Sequence, residues 1–254
     1  MSNLPNKNIQ TVNTMYGTVK YNNKDCWIKN VLETGHLYGE KLVLHNLHNY
    51  ISKSKVILDI GAHIGCHSLL YAHLNTKAKI YSFELQTHMY KLLKDNILNN
   101  GIDNVEVFNC AIGDSMKMIS VANVITDGLN PYEEYSYDSD KEYNFGGVSI
   151  GHGTEEHLMI TIDSLNLTDC DFIKIDVEGF EYFVLVGAIK TLVKFKPVIF
   201  FESNQKTLTN YMKEVNNLSH EISGDMNVFS MLRSIGYKNI KCIDEEELNY
   251  LAIF

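Results

Sequence analysis

The chain has 254 residues, 45% of them hydrophobic and 21% charged, with a formal net charge of −9. Such totals describe an ordinary globular protein of one large or two small domains. The acidic balance and the lack of any Lys/Arg cluster exclude broad affinity for a nucleic-acid backbone, which needs a basic face.

Residues 1–54 carry mixed strand and helix signals, and "YGEKLVLHNLHNYI" reads as a helix leading into the first core strand. From there the pattern alternates. "KVILDIG" predicts a strand, "HSLLYAHL" a short helix, "KIYSFE" a second strand and "THMYKLLKDNILNNG" a helix. In the last of these Tyr90, Leu93 and Ile97 share one face, and Gly101 suits the C-terminal cap. "NVEVFNCAIGD" reads as a third strand. Residues 115–165 then break the alternation with a polar, tyrosine-rich insertion, a length that is usually functional or disordered.

"DFIKIDVEG" predicts a fourth strand, and "FEYFVLVGAIKTLVKF" one helix with Phe180, Phe183, Val184, Gly187, Ala188 and Leu192 along a stripe. "KPVIFFES" is a fifth strand, opened by Pro197 where a strand start tolerates it. "NVFSMLRSIGY" reads as a helix, and "NIKCID" and "NYLAIF" as an antiparallel hairpin around "EEEL". Strand–helix alternation implies a parallel sheet covered on both faces. With no internal repeat and no linker, residues 1–254 are expected to form a single domain, with 1–54 as lead-in and 115–165 as an insertion near the active site.

The cysteines (Cys26, Cys66, Cys110, Cys170 and Cys242) are odd in number and form no CxxC pair, so they read as reduced thiols. The polar start predicts no signal peptide, and no apolar run approaches bilayer length. The expectation is a soluble cytoplasmic protein with no membrane span. Nothing in the sequence bears on its oligomeric state.

"VILDIGAHIGCHSLL" carries the main functional signal. An apolar strand ends in an acid, two glycines bracket a turn, and a helix begins, as at nucleotide-type cofactor sites. Glu84 follows about 20 residues after that turn, where an acid can hold ribose hydroxyls. In an open parallel sheet, ligands sit beyond the carboxyl ends of the strands. Asp59, Glu84, Asp176 with Glu178, and Glu202 are all read at such ends and predict one acidic pocket. His63 occupies the place where a dinucleotide turn wants a glycine, and a pyrophosphate would crowd it. S-adenosylmethionine has no phosphate and tolerates a looser turn, so the motif leans towards it.

These residues also resemble a known family. "LDIGAHIG", "FELQ", "NVEVFNCAIGD", "ITIDSL" and above all "DFIKIDVEGFEYFVLVGA" followed by "KPVIFFE" are similar to the FkbM-type methyltransferases, over about residues 40–240. The resemblance implies a Rossmann-like class I methyltransferase fold. Its sheet is mostly parallel and seven-stranded, with a C-terminal antiparallel hairpin and helices on both faces. It also implies S-adenosylmethionine as cofactor and a sugar or related hydroxyl compound as acceptor. Asp59, Gly61, Ala62, His63 and Gly65 would then surround the methionine part of the cofactor, and Ser68 is expected to bind the cofactor with them. Glu84 would hold the ribose, Leu85 would lie against the adenine, Asn109 and Ala111 would flank the base, and Asp176 would lie beneath the methyl donor. One departure is His63, where the family usually carries Asn.

Lys174, Asp176 and Glu178 alternate and so would share one face of a strand, with Glu202 close by on its neighbour. Such a cluster could supply a general base or hold Mg²⁺ or Mn²⁺ on Asp176, Glu178 and Glu202. Lys174 reads equally as a catalytic residue and as the ion-pair partner of an acid. His152 is a candidate base, as is His157, and either can be read as a surface histidine. Tyr132, Tyr135, Tyr137 and Tyr143 could stack on sugar rings or belong to a loop. Glu181 and Asp163 read as structural. The expected function is O-methylation of a hydroxyl on a sugar or glycoconjugate. The alternatives are methylation of a non-sugar small molecule and a non-catalytic cofactor-binding partner subunit.

Overall fold

The structure is a computed structural model that describes residues 8–125, 134, 140–151, 153–203 and 227–254. The lead-in forms a hairpin, β1 (Ile9–Thr14) with β2 (Gly17–Asn22), then helix α1 (Cys26–Leu32). Next come α2 (Glu40–Leu42) and α3 (His48–Ile51), joined by a π-helical turn, Val43–Leu47. The alternating core follows: β3 (Val56–Ile60), α4 (Cys66–Leu74), β4 (Lys79–Phe83), α5 (Thr87–Asn99) and β5 (Val105–Phe108). After a second group of strands it resumes with β10 (Phe172–Ile175), α6 (Glu181–Val186), α7 (Ile189–Phe195), β11 (Val198–Glu202), α8 (Val228–Ile235), β12 (Asn239–Asp244) and β13 (Asn249–Ile253).

The large sheet has seven strands in the order β12-β13-β11-β10-β3-β4-β5. The five strands from β11 to β5 are parallel, and β13 runs antiparallel to both its neighbours. This is the expected α/β sheet with its terminal hairpin. Strand alternation sends Ile57, Ile80, Phe172, Phe200 and Leu251 into a core shared with α4 and α5. The intervening Leu58, Ile173, Ile199, Phe201 and Ala252 pack on α6, α7 and α8. Helices therefore cover both faces. The order reverses at β3, whose neighbours are β4 and β10, so a crevice opens beyond the carboxyl ends of β3 and β10.

The segment read as an insertion supplies three strands, β7 (Lys117–Ile125), β8 (Val148–Ile150) and β9 (Glu156–Ile160), of a second sheet completed by β6 (Ala111–Ile112) just before it, in the order β6-β9-β7-β8. Two local expectations are corrected. "NVEVFNCAIGD" is two strands, because the chain turns at Asn109 and Cys110 between β5 and β6. The long helix from Phe180 is two, α6 and α7, broken at Gly187, where a Cβ would stand 1.9 Å from the Gly113 carbonyl oxygen. The stripe survives the break, since Phe180, Val184, Ala188 and Leu192 are all buried. Gly101 follows α5 at φ +63, as its capping role requires.

Among the described residues no helix is long and apolar enough to cross a membrane. Cys26, Cys66, Cys110 and Cys170 are buried free thiols, and Cys242 is an exposed one.

Candidate active site

The glycine turn after β3 is built for close approach. Gly61, His63 and Gly65 all have positive φ (78°, 52° and 94°). A Cβ on Gly61 would stand 1.8 Å from the Asp176 carbonyl oxygen, so only glycine lets the β3 and β10 ends meet. The amides of Gly61 and Ala62 both donate to the Phe83 carbonyl oxygen, at 3.0 and 2.9 Å, which ties the turn to the end of β4. Glu84 follows immediately and is buried. Its Oε2 accepts from the His63 amide at 2.8 Å and its Oε1 from the Gln86 amide at 2.7 Å. Each oxygen keeps a lone pair for a further donor. Burial pushes the Glu84 pKa up, against the charge of His63 and these two amides.

Beneath the turn lies a buried polar layer. The Lys174 ammonium donates to the Gly61 carbonyl oxygen at 2.6 Å and lies 3.2 Å from Asp176 and 3.6 Å from Asp59. Burial opposes the charge on Lys174, but Asp176 and then Asp59 outweigh it and hold the pKa above the ordinary lysine value. Ser68 donates to Asp59 Oδ2 at 2.6 Å and bonds Ser82 at 2.8 Å. Asp59 is therefore not at the strand end as expected. It is the penultimate residue of β3, fully buried, and it neutralises Lys174 from below.

Asp176 directly follows β10, whereas Glu178 lies in the next turn at φ +53, outside the strand. The expected alternation of Lys174, Asp176 and Glu178 along one strand stops at Ile175, because the chain turns through Glu178 and Gly179 into α6. Glu181 holds that turn, its Oε1 accepting from the Val177 and Gly179 amides at 3.2 Å each. Burial raises its pKa to about 7 despite these bonds.

Asp176, Glu178 and Glu202 converge, each offering a carboxylate oxygen within 4.8 Å of the others. Burial works against ionised Asp176, but Lys174 and then a hydrogen bond with Glu202 keep its pKa below the ordinary value. The opposite holds at Glu202, where burial and the charges of Asp176, Glu178 and Glu181 raise the pKa far above the usual carboxylate range. Asp176 thus carries the charge and Glu202 the proton.

One cavity of about 1420 Å³ joins these groups. Gly61, Ala62, His63, Glu84, Leu85, Ala111, Lys174, Asp176, Glu178 and Glu202 line it. Asp59, Gly65, Ser68 and Asn109 do not; they stand behind the lining. Asn109 donates from Nδ2 to the Glu84 and Leu85 carbonyl oxygens at 2.9 Å each, so it positions that loop through its backbone. His157 pairs with Glu155 at 2.7 Å, and Glu155 accepts from the Thr87 amide at 2.7 Å, which anchors β9 to the start of α5. His152, Tyr132, Tyr135 and Tyr137 lie outside the described residues. Tyr143 is a core residue at 2% exposure, not an open stacking surface.

The lead-in and the terminal hairpin close the cavity, which sequence reasoning missed. Trp27, Asn30 and Val31 from α1 line it, as do Tyr38 and the β12–β13 turn at Asp244–Asn249. Tyr38 donates from Oη to Glu247 Oε1 at 2.7 Å, and its phenol is pushed up by burial, then by Glu247, Asp176 and Glu202. Gln86 and Ser149 are both nine-tenths buried cavity-lining residues whose Oε1 and Oγ have no partner among the described residues. No sequence pattern announces any of these. Their pairings span up to 209 positions.

A family model described as a methyltransferase FkbM domain matches residues 59–237. Among solved structures, the chain is similar to the methyltransferase FkbM from Methylobacillus flagellatus KT at 18% identity and a TM-score of 0.48, covering 79% of this chain and 44% of that one. It thus spans under half the length of that relative. A putative caffeoyl-CoA O-methyltransferase from Staphylococcus aureus matches at 14% identity and 0.48, covering 91% and 93%. M. jannaschii TYW2, solved in complex with AdoMet, matches at 13% identity and 0.46, covering 99% and 86%.

Proposed function

The chain belongs to the FkbM methyltransferase family, matched over residues 59–237, and from that premise we propose that it transfers the methyl group of S-adenosylmethionine to a hydroxyl of a sugar or glycoconjugate, with residues 1–254 acting as one domain. The observation that carries this reading is the placement of Asp176 and Glu202. Both line one cavity with the glycine turn, their carboxylate oxygens within 4.8 Å of each other and the Lys174 ammonium 3.2 Å from Asp176.

The residues fit the cofactor. Gly61, Ala62 and His63 line the cavity beside Glu84. Glu84 has lone pairs for ribose hydroxyls, and Gln86 and Ser149 carry buried polar atoms in want of a partner. When bound, S-adenosylmethionine supplies a methyl group already activated by its sulfonium. The protein's part is then alignment, which can lower such a barrier by several kcal/mol. Gly61 to Gly65 would cradle the methionine end and Leu85 and Ala111 would flank the base.

Asp176 would accept a hydrogen bond from the acceptor hydroxyl and take its proton as the carbon–oxygen bond forms. Lys174 keeps Asp176 ionised until then. A positioned base of this kind is worth roughly 10²–10⁴ in rate. Glu178, beside it, would help orient the acceptor.

A second reading is favoured by the convergence of Asp176, Glu178 and Glu202 within 4.8 Å. Three carboxylate oxygens are a fitting donor set for Mg²⁺ or Mn²⁺, which would add Lewis-acid polarisation of the hydroxyl. The test is calorimetric titration with S-adenosylhomocysteine, NAD as control, followed by turnover on sugar acceptors with and without chelator. Micromolar binding of the first alone supports the cofactor reading, and no binding overturns it. Turnover on hydroxyl acceptors supports the enzyme reading. Tight cofactor binding without turnover on any acceptor favours the partner-subunit alternative, and full activity in chelator removes the metal.

A further inference from the structure

Three segments far apart in sequence meet at Asp25, which is 1% exposed. Asp25 caps α1, its Oδ1 accepting from the Ile28 amide at 3.2 Å. Its neighbours pair with the 140–151 segment: the Cys26 amide donates to the Tyr143 carbonyl oxygen at 2.9 Å and the Tyr143 amide to that of Lys24 at 2.8 Å. The second oxygen, Oδ2, reaches across to His63 Nε2 at 3.3 Å. His63 holds a left-handed backbone conformation, φ 52°, that a non-glycine residue adopts only at a cost. In that conformation its amide points at Glu84 Oε2, 2.8 Å away.

We propose that Asp25 is a positioning residue for the cofactor turn: by pairing with the His63 side chain it holds the backbone geometry that orients Glu84. The inference rests on the cofactor reading above, and it makes the lead-in part of the cofactor site. Asp25 touches no cofactor atom in this account. It acts through His63, and through the α1 cap it joins the roof of the cavity to the turn below.

The charged and titratable groups facing His63 are Asp25 from the α1 cap, Glu84 after β4, Lys174 from β10 and His88 from α5. Burial pushes the His63 imidazolium pKa down, but Asp25 and then Glu84 outweigh it, against Lys174, and the pKa stands above the ordinary value. His88 is held neutral by burial, its pKa lowered to about 4. A raised imidazole pKa means the pair is at full strength below the unfolded value of about 6.5 and is lost as pH rises through the folded value.

Asparagine is as good an N-cap as aspartate, so Asp25→Asn keeps the helix cap and removes the charge. The experiment is S-adenosylhomocysteine calorimetry on the full chain at pH 6, 7 and 8.5, for wild type, Asp25→Asn, His63→Asn and the double variant. An NMR titration of the His63 ring accompanies it. Expected are a wild-type affinity that weakens with rising pH, and an Asp25→Asn affinity about fivefold weaker at pH 6, roughly 1 kcal/mol. His63→Asn should lack the pH trend and be insensitive to the second substitution, a non-additive cycle. In Asp25→Asn the ring should titrate at lower pH.

Unchanged affinity, pH trend and ring titration in Asp25→Asn would overturn the proposal. If that variant does not fold, a wild-type His63 titrating at or below the ordinary imidazole value does the same. Failure of wild type to bind at all would instead sink the cofactor reading. The ring titration and the same cycle read on thermal stability would still decide whether the pair exists.

Discussion

The two ends of the cavity are built on opposite principles. At the glycine-turn end the described charges are matched: Glu84 accepts two amides, Lys174 sits between Asp59 and Asp176, and His63 meets Asp25. At the other end like charges crowd together, with Asp176, Glu178, Glu202 and Glu247 near one another and near the Tyr38 phenol. A matched end can hold a ligand in a fixed pose, because its groups have no alternative arrangement. A crowded end stores proton affinity, because gathering more carboxylates than the single Lys174 can neutralise keeps one protonated. On the proposed function, binding and proton transfer would thereby be separated along one cavity.

That contrast can be broken most sharply at the matched end. Gly61→Ala would force a Cβ against the Asp176 carbonyl oxygen at a backbone φ of +78°. A destabilisation of about 4–5 kcal/mol is expected, with loss of S-adenosylhomocysteine binding, measured by denaturant unfolding and calorimetry. Lys174→Met removes the cation shared by two buried or half-buried aspartates and should cost about 3–5 kcal/mol by the same unfolding assay. A near-neutral result would mean that the aspartates are not charged together.

At the crowded end the effects should fall on turnover first. Asp176→Asn should leave S-adenosylhomocysteine affinity within about twofold while lowering kcat by roughly 10²-fold or more. Equal losses in both would show that the two ends are not separate.

Glu181 gives a pH signature. Its folded pKa of about 7 lies above the unfolded carboxylate value. The unfolded chain therefore releases this proton first, and the group's contribution to stability declines as pH rises from about 4.5 to 7. Glu181→Gln keeps an acceptor for the Val177 and Gly179 amides, so its melting temperature should fall less than wild type's across that window. The smallest change is expected from Tyr38→Phe, which deletes one hydrogen bond to Glu247 and should cost about 1 kcal/mol with little effect on cofactor affinity.

Much of the fold was legible because it is written in local periods. Strand–helix alternation, the capping Gly101 and the terminal hairpin each depend on residues within one or two turns of one another. Gly187 shows the limit of that reading. Its stripe is helical, yet the helix breaks there, where the Gly187 carbonyl oxygen accepts from the Asp163 amide of another segment at 2.9 Å and the Asp163 carboxylate takes the Lys190 and Thr191 amides. The same limit applies at the site. Glu84, Asp176 and Glu202 could be named from their places after or at strand ends, and the structure puts all three on the cavity. Asp59 and Ser68 belonged to the same motif but face the core, because β3 alternation turns Asp59 towards α4, where Ser68 meets it.

By itself, then, the sequence determined the sheet, the glycine turn and the family, since each rests on short-range spacing that survives without knowledge of the rest. Only the tertiary structure decided which acid is charged, what neutralises Lys174, that Asp25 meets His63, and that Tyr38 and Glu247 close the cavity. Charge state and pairing depend on burial and on partners brought within 4 Å from distant segments. Distance in the chain carries no record of that proximity.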